Sequence, residues 1–104
     1  RDEPAFIFIK TSDGQIRVDF SELLYCEAAG NYVTFQLENQ KILSRMTLSE
    51  VERVLPSYFI RTHRSFLANK NRVTRAEKHQ LHLAGFTVPI SSPYLDAVME
   101  KLKS

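Results

Sequence analysis

The segment Tyr58–Asn71, which reads YFIRTHRSFLANKN, carries the side chains best suited to binding a partner. It contains Arg61, His63, Arg64 and Lys70 and has no acidic residue. Large hydrophobic residues recur every few positions, which favours donors held rigidly on a folded surface over a mobile basic tail. Arg and Asn side chains match the edges of guanine and adenine, and Arg and Lys also bind phosphates. The segment therefore indicates nucleic acid as the first partner to consider.

The charges are distributed unevenly along the chain. Residues 57–95 carry six Lys or Arg and one acidic residue, Glu77, for a net charge of +5. Residues 1–56 carry six Lys or Arg and nine Asp or Glu, for a net charge of −3. Basic charge concentrated in this way favours a polyanionic partner, although it does not establish sequence specificity. Charge alone also fits a pair of solvated strands with no partner.

The length of 104 residues indicates one domain with a modest core of its own. No stretch approaches the ~20 apolar residues of a membrane span, and the N-terminus does not resemble a signal peptide. We therefore expect a cytoplasmic domain without membrane contact. The first residue, Arg1, suggests a fragment of a longer protein. The lone Cys26 has no cysteine to pair with, and its apolar neighbours predict a buried core residue.

Short runs of β-branched and aromatic residues, separated by turn signals, dominate the chain. The turn signals include Asp13-Gly14 and Gly30-Asn31. Strands are predicted for residues 5–10, 15–19, 23–29, 32–37, 41–44, 73–78, 80–83 and 86–90. Strands at such short spacing indicate a mostly β domain with antiparallel sheets rather than βαβ units.

Two helices are predicted. Thr47-Leu-Ser-Glu50 has the form of a capping box, and Pro56 ends the short helix that follows. Near the C-terminus Ser92 is predicted to cap a second helix, with Pro93 in its first position. Apolar residues then recur at helical spacing at Leu95, Val98, Met99 and Leu102.

No constellation for catalysis is recognisable in the sequence. His79 and His82 are the only close pair of histidines, and residues three apart on a strand face opposite sides. The sequence also has no phosphate-binding glycine loop, nucleophile elbow or metalloprotease helix. We therefore expect a protein that is not an enzyme and that holds no metal or cofactor.

Four blocks of sequence carry a specific resemblance: residues 24–33 (LYCEAAGNYV), 48–55 (LSEVERVL), 59–69 (FIRTHRSFLAN) and 88–91 (VPIS). In this order and spacing they closely resemble the LytTR family of bacterial DNA-binding domains. The resemblance implies an elongated, mostly β fold of small antiparallel sheets, with one short internal helix and a C-terminal helix. It also implies binding through loops that enter successive major grooves. Those loops correspond to Gly30–Tyr32, Arg61–Ser65 and the turn after Ile90.

The resemblance places two residues at base edges. Asn31 in the first loop would pair with adenine, and the alternative is a turn residue that tolerates a left-handed backbone. Arg64 in the second loop would bind guanine, and the alternative is a solvated surface arginine. Tyr32 would either pack beside the first loop or contact phosphate. Asn69 is expected to be structural, since it closes a strand before a turn.

The other matching residues have supporting roles. Arg61 would either bind phosphate or brace its loop. His63 and Ser65 would orient the segment through hydrogen bonds to backbone, and the Ser65 hydroxyl could also donate to phosphate. Lys70 and Arg45 are further candidate phosphate contacts.

The third loop departs from the family pattern. The family usually has a serine followed by a basic residue after its last strand, whereas this chain has Ser91-Ser92-Pro93-Tyr94. Pro93 offers no donor. The third contact is therefore expected to use Ser91, Ser92 and Tyr94 and to be weaker than usual.

Taken together, the resemblance implies sequence-specific binding of double-stranded DNA by a bacterial transcription regulator, as the output domain of a two-component response regulator. A receiver domain N-terminal to this chain, paired direct repeats in the DNA and a dimer on the DNA are expected on the same ground. Two other classes stay open. They are an RNA or single-strand binder, which would expose aromatic residues for stacking, and a protein-interaction module whose basic strip meets an acidic partner.

Overall fold

The computed structural model describes residues 5–103. Within them lie ten strands and two α-helices, besides one 3₁₀ turn at Lys70–Arg72. The strands are β1 (Phe6–Thr11), β2 (Gly14–Asp19), β3 (Tyr25–Ala29), β4 (Tyr32–Gln36), β5 (Lys41–Ser44), β6 (Phe59–His63), β7 (Phe66–Asn69), β8 (Arg75–Ala76), β9 (Gln80–Leu83) and β10 (Phe86–Pro89). The helices are α1 (Leu48–Val54) and α2 (Ser92–Leu102). Arg1, on which the expectation of a longer protein rests, lies outside the described residues.

A five-stranded antiparallel sheet in the order β5-β4-β3-β7-β6 forms the centre of the domain. Because side chains alternate along a strand, its two faces bury different residues. The first face packs against the β1–β2 hairpin and α1, and its buried side chains include Cys26, Val33, Phe35, Ile42 and Leu67. The Ser44 hydroxyl also donates to the Lys10 carbonyl oxygen (2.7 Å), which fastens β1 beside β5.

The second face of the central sheet carries a separate core. It is covered by a three-stranded sheet in the order β10-β9-β8 and by α2. Its buried side chains are Ile60, Ala68, Leu81, Leu83, Val88, Ile90 and Val98. The segment from Tyr58 to Asn71 thus contributes β6 and β7, which are held from both sides. Phe59 belongs to the first core and Phe66 packs against the second, so these aromatic rings anchor the segment.

The predicted fold class is confirmed, and the capping box is present as expected. The Thr47 side chain accepts from the Glu50 N–H (3.1 Å), and the Thr47 N–H donates to the Glu50 carboxylate (2.8 Å). The α1 helix ends at Val54, before Leu55 and Pro56. Pro56 cannot continue a helix and disfavours helical backbone in the residue before it. Cys26 is fully buried, as predicted.

Several strand ends differ from the sequence expectations by one or two residues, and β6 and β7 were not among the predicted strands. The strand predicted for residues 73–78 is reduced to β8, because only Arg75 and Ala76 pair with β9. The C-terminal helix begins at Ser92, so Ser91 rather than Ser92 occupies its N-cap position, without a side-chain capping hydrogen bond, and Pro93 is the second helical residue rather than the first. The Ser91 N–H donates to the Thr62 carbonyl oxygen (3.0 Å), and Ser91 has the extended backbone of a cap.

Candidate nucleic-acid interface

Two turns lie side by side at one edge of the central sheet. Glu27 in β3 is opposite Phe66 in β7, so the end of β3 adjoins the start of β7. The Ala28 N–H donates to the Ser65 carbonyl oxygen (2.8 Å), which ties the two ends together. The turn Gly30-Asn31 after β3 and the turn Arg64-Ser65 before β7 therefore share this edge, which we call the loop edge.

Arg45 and Tyr32 lie at the same edge. Val33 in β4 is opposite Ser44 in β5, so the residues just beyond this pair, Tyr32 and Arg45, are neighbours at the end of the two strands. Arg45 is exposed, and Tyr32 retains 44% exposure, which is large for a tyrosine beside a core strand. Both side chains are accessible to a partner bound at the loop edge.

The segment after β10 reaches the loop edge from the second face. The Ser91 N–H donates to the carbonyl oxygen of Thr62, which precedes Arg64 by two residues. This hydrogen bond places the segment after β10 beside the end of β6. Ser92 is exposed, Ser91 is half-buried, and Tyr94 packs partly against the second core. The structure thus brings the Gly30–Tyr32, Arg61–Ser65 and Ser91–Tyr94 segments together.

The Gly30-Asn31 turn is a two-residue hairpin loop, since Ala29 is opposite Tyr32. Gly30 takes the positive φ of 62°. Among residues 5–103, Ala84 is the only non-glycine residue with a positive φ, so Asn31 is not left-handed. The alternative explanation for Asn31, tolerance of left-handed backbone, therefore does not apply, and its amide is exposed.

The Arg64-Ser65 turn is fixed by its neighbours. The Ser65 N–H donates to His63 Nδ1 (3.1 Å), and the His63 ring meets the Phe66 ring edge-on with centroids 5.5 Å apart. The pairing of β6 with β7 shifts register between Arg61 and His63, an irregularity of the kind that re-aims side chains. Arg64 is exposed at the tip, and no carboxylate pairs with it within residues 5–103.

Much of the basic charge predicted to form a strip is neutralised within the fold. Arg61 pairs with Glu52 of α1 (3.0 Å), which corresponds to the bracing alternative. Arg72 pairs with Glu38 and also donates to the Ser21 carbonyl oxygen (2.8 Å). Arg75 pairs with Glu77 (3.2 Å).

Lys70 and Asn69 lie at the other end of β7. The Lys70 N–H donates to the Tyr58 carbonyl oxygen (2.9 Å), so the structure does not bring Lys70 together with Arg64. Asn69 is 1% exposed, and its amide bonds to the backbone of three residues: Phe20, Leu23 and Asn71. The structural role expected for Asn69 is thus observed.

The histidine pair does not converge on one site. His79 is exposed in a turn, whereas His82 Nε2 lies 3.1 Å from the Glu77 carboxylate. Within residues 5–103 no group of three or more His, Cys, Asp or Glu side chains could hold a metal ion. None of the helices in this part of the chain is long and apolar enough to cross a membrane.

A small β domain that presents polar and basic turns along one edge, with Phe59 and Phe66 packed in the cores behind them, has the architecture of a loop-based binding module. The model of the LytTr DNA-binding domain family matches residues 13–103. The chain therefore belongs to this family of DNA-binding domains.

A solved structure supports the same conclusion. The chain is similar to the LytTr DNA-binding domain of a putative methyl-accepting/DNA response regulator from Bacillus cereus, with a TM-score of 0.82 and 30% identity. The similarity covers 97% of this chain and 99% of that one. No curated protein matches the chain significantly.

Proposed function

We propose that the loop edge binds double-stranded DNA sequence-specifically, with Arg64 and Asn31 contacting bases in the major groove. The observation that carries this proposal is the convergence of three separate segments at one edge, fixed by backbone hydrogen bonds from Ala28 and Ser91. Because these bonds join backbone atoms, the relative positions of the turns do not depend on the exposed side chains. Such rigidity is what discrimination between base pairs requires.

Arg64 is the side chain best placed to read a base. It occupies the tip of a turn, and the residues on either side of it, His63 and Ser65, are joined by a hydrogen bond from the Ser65 N–H to His63 Nδ1. This bond holds the backbone of Arg64 in place. Its guanidinium has no carboxylate partner within the described residues and is free to bind the O6 and N7 atoms of guanine. Asn31 occupies the neighbouring turn and would bind the N6 and N7 atoms of adenine in the same manner.

The residues around this pair would bind the DNA backbone. Arg45 contributes a charge beside Asn31, and the Ser65, Ser91 and Ser92 hydroxyls contribute neutral donors. Tyr32 and Tyr94 are the last residues of the Gly30–Tyr32 and Ser91–Tyr94 segments, and their hydroxyls would also contact the DNA backbone. We assign Arg61 and His63 to positioning, since both make side-chain interactions within the fold. Lys70 is not included, because it lies at the opposite end of the sheet.

On the family resemblance we also propose that the segments of the loop edge enter successive major grooves of the duplex.

The aromatic residues favour a duplex over a single strand. Binding of single strands relies on exposed rings on which bases stack. Phe59 and Phe66 of the Tyr58–Asn71 segment pack in the cores instead. The exposed Phe and Tyr rings among residues 5–103 are Phe8 in β1 and Tyr32. Of these only Tyr32 belongs to the proposed binding segments, and one ring does not make a stacking platform.

We further propose the setting that the family resemblance implies. This domain would be the non-catalytic output domain of a two-component response regulator, in the cytoplasm. A receiver domain would precede it in the full-length protein. Two copies would bind paired direct repeats as a dimer.

The experiment begins with selection of a binding site from random duplexes. Affinities of the selected duplex, of its single-base variants and of an unrelated duplex are then measured for wild type and Arg64→Ala. We expect Arg64→Ala to lose about 1–3 kcal/mol on the selected site and to lose discrimination at one position. An Asn31→Ala variant should lose discrimination at a different position.

Lys103→Gln is the matched control, because this exposed lysine lies beyond α2, whose 11 residues run about 16 Å away from the loop edge. An Arg64→Ala variant that loses affinity equally for every duplex would contradict base reading. Selection of no duplex by the wild type would favour a protein-interaction module, and preference for a single strand would favour the other alternative.

A further inference from the structure

A fourth turn reaches the loop edge, and it carries a lysine. Glu77 and Gln80 close a two-residue loop between β8 and β9, since the Glu77 N–H donates to the Gln80 carbonyl oxygen (2.9 Å). Lys78 and His79 form the tip of this loop and are both exposed. The sequence had suggested that β8 runs through Lys78, so this turn was not expected.

Backbone hydrogen bonds connect the Lys78-His79 turn to the proposed DNA-binding segments. The Ile90 N–H donates to the His79 carbonyl oxygen (2.8 Å), and the next residue, Ser91, donates to Thr62 (3.0 Å). The tip of the β8–β9 hairpin, the end of β10 and the end of β6 therefore lie in a row. Hydrogen-bonded chains lie about 4.8 Å apart, so the tip is roughly 10 Å from the end of β6, close to Arg64.

The orientation of β10 confirms which end of the domain this is. Phe86, at its start, packs against Tyr25 with ring centroids 6.0 Å apart, and Tyr25 begins β3. The loop edge adjoins the other end of β3. Because β10 starts near the far end of the central sheet and finishes beside Thr62, the turn that pairs with its finish lies at the loop edge.

Lys78 carries the charge of this turn that remains available to a partner. Its neighbour Glu77 bonds to Gln80 (2.8 Å) and pairs with Arg75 (3.2 Å). Within residues 5–103 no carboxylate pairs with Lys78. The adjacent segment Ser91–Tyr94 contains no cation at all.

We propose that Lys78 binds a DNA phosphate and supplies the positive charge that the Ser91–Tyr94 segment lacks. This inference rests on the proposed DNA-binding function. His79 holds the turn in place through its backbone, and Lys78 contributes an electrostatic contact without base specificity. The DNA footprint of the domain would accordingly extend past the third loop.

The salt dependence of DNA binding tests this inference. Each phosphate contact contributes about −0.9 to the slope of log K against log salt concentration. Lys78→Gln should make the slope shallower by about that amount and weaken binding about fivefold at 0.15 M salt. The effect should be equal for the selected and unrelated duplexes, and the single-base preferences should not change.

Two further variants make the test decisive. Lys103→Gln, with the same charge change, should leave the slope unaltered. Adding Ser92→Arg to Lys78→Gln should restore the slope, because it returns a cation to the neighbouring segment. Circular dichroism establishes that each variant is folded.

An unchanged slope in Lys78→Gln, with wild-type binding and an Arg64→Ala effect intact, would overturn the inference and leave the proposed function standing. A Lys78→Gln effect confined to one base position would also overturn it. Failure of the wild type to bind any duplex would instead reject the proposed function together with the inference.

Discussion

Asn69 allows a sharp test of what holds the Tyr58–Asn71 segment in place. Its side-chain amide donates to the carbonyl oxygens of Phe20 (3.1 Å) and Leu23 (2.8 Å), and its oxygen accepts from the Asn71 N–H (2.9 Å). One buried side chain thus joins the connection between β2 and β3 to the end of β7. Asn69→Ala removes all three hydrogen bonds at once.

The expected loss of stability follows from these bonds. A typical intramolecular hydrogen bond contributes about 1 kcal/mol net, so three give roughly 3 kcal/mol. The Phe20 carbonyl oxygen would keep the Leu23 N–H as a donor (3.3 Å), whereas the carbonyl oxygen of the buried Leu23 would lose the Asn69 amide without ready access to water, which raises the loss rather than lowering it. Asn69→Asp should be worse still, since its carboxylate would face two carbonyl oxygens.

Urea unfolding, followed by circular dichroism, measures this loss. The urea concentration at the unfolding midpoint should fall, and the slope of the unfolding free energy against urea concentration (the m-value) should not change. Thermal unfolding should shift by at least about 4 °C for each kcal/mol lost in a domain of this size. Asn39→Ala, at an exposed turn position, is the control. A loss below about 1 kcal/mol, or one equal to the control, would refute the structural role of Asn69.

Two other predictions concern local interactions. Thr47→Ala should cost about 1 kcal/mol by removing the capping box of α1, whereas Ser49→Ala on the same helix should change the unfolding free energy by less than about 0.5 kcal/mol. The pKa of Glu77 is held below its usual value, first by hydrogen bonds from Gln80 and His82 and further by the charge of Arg75. An NMR titration of the Glu77 carboxyl group should therefore show a lowered pKa, and this pKa should rise in Gln80→Ala. Because the folded pKa lies below the unfolded one, this interaction stabilises the fold above the unfolded pKa and is lost as the pH falls through the folded pKa. A Glu77 pKa at its usual value in the wild type would contradict this reasoning.

The elements governed by local sequence could be predicted from the chain alone. The capping box at Thr47, the two-residue turn at Gly30-Asn31 and most strands depend on neighbouring residues. The β8 strand was predicted too long because Thr74 and Glu77 reach β9 through single backbone bonds that flank a two-residue ladder. Ser91, at the N-cap position of α2, donates its N–H to Thr62, which is distant in sequence, and no local pattern reveals this contact.

The candidate site could be predicted only through the family resemblance. The strand patterns in the sequence do not reveal that β3 pairs with β7. This pairing places the turn that contains Asn31 next to the turn that contains Arg64. Arg45 was singled out as a cation, but its place next to Tyr32 follows from the pairing of β4 with β5. Lys78 is one of the six basic residues in the 57–95 region, and only the hydrogen bond between Ile90 and His79 reveals its location.

The charges show most clearly why position in the sequence is a poor guide to the interface. Arg61, Arg72 and Arg75 lie in the most basic part of the chain, yet each is paired with a glutamate. Cations at the loop edge without such a partner in the described residues include Arg45, Arg64 and Lys78, which come from three different segments. Since a paired arginine must give up its carboxylate to bind a phosphate, these three should dominate the salt dependence of DNA binding. The electrostatic surface is therefore made by strand pairing, which neutralises much of the basic run and assembles a smaller cationic set at one edge.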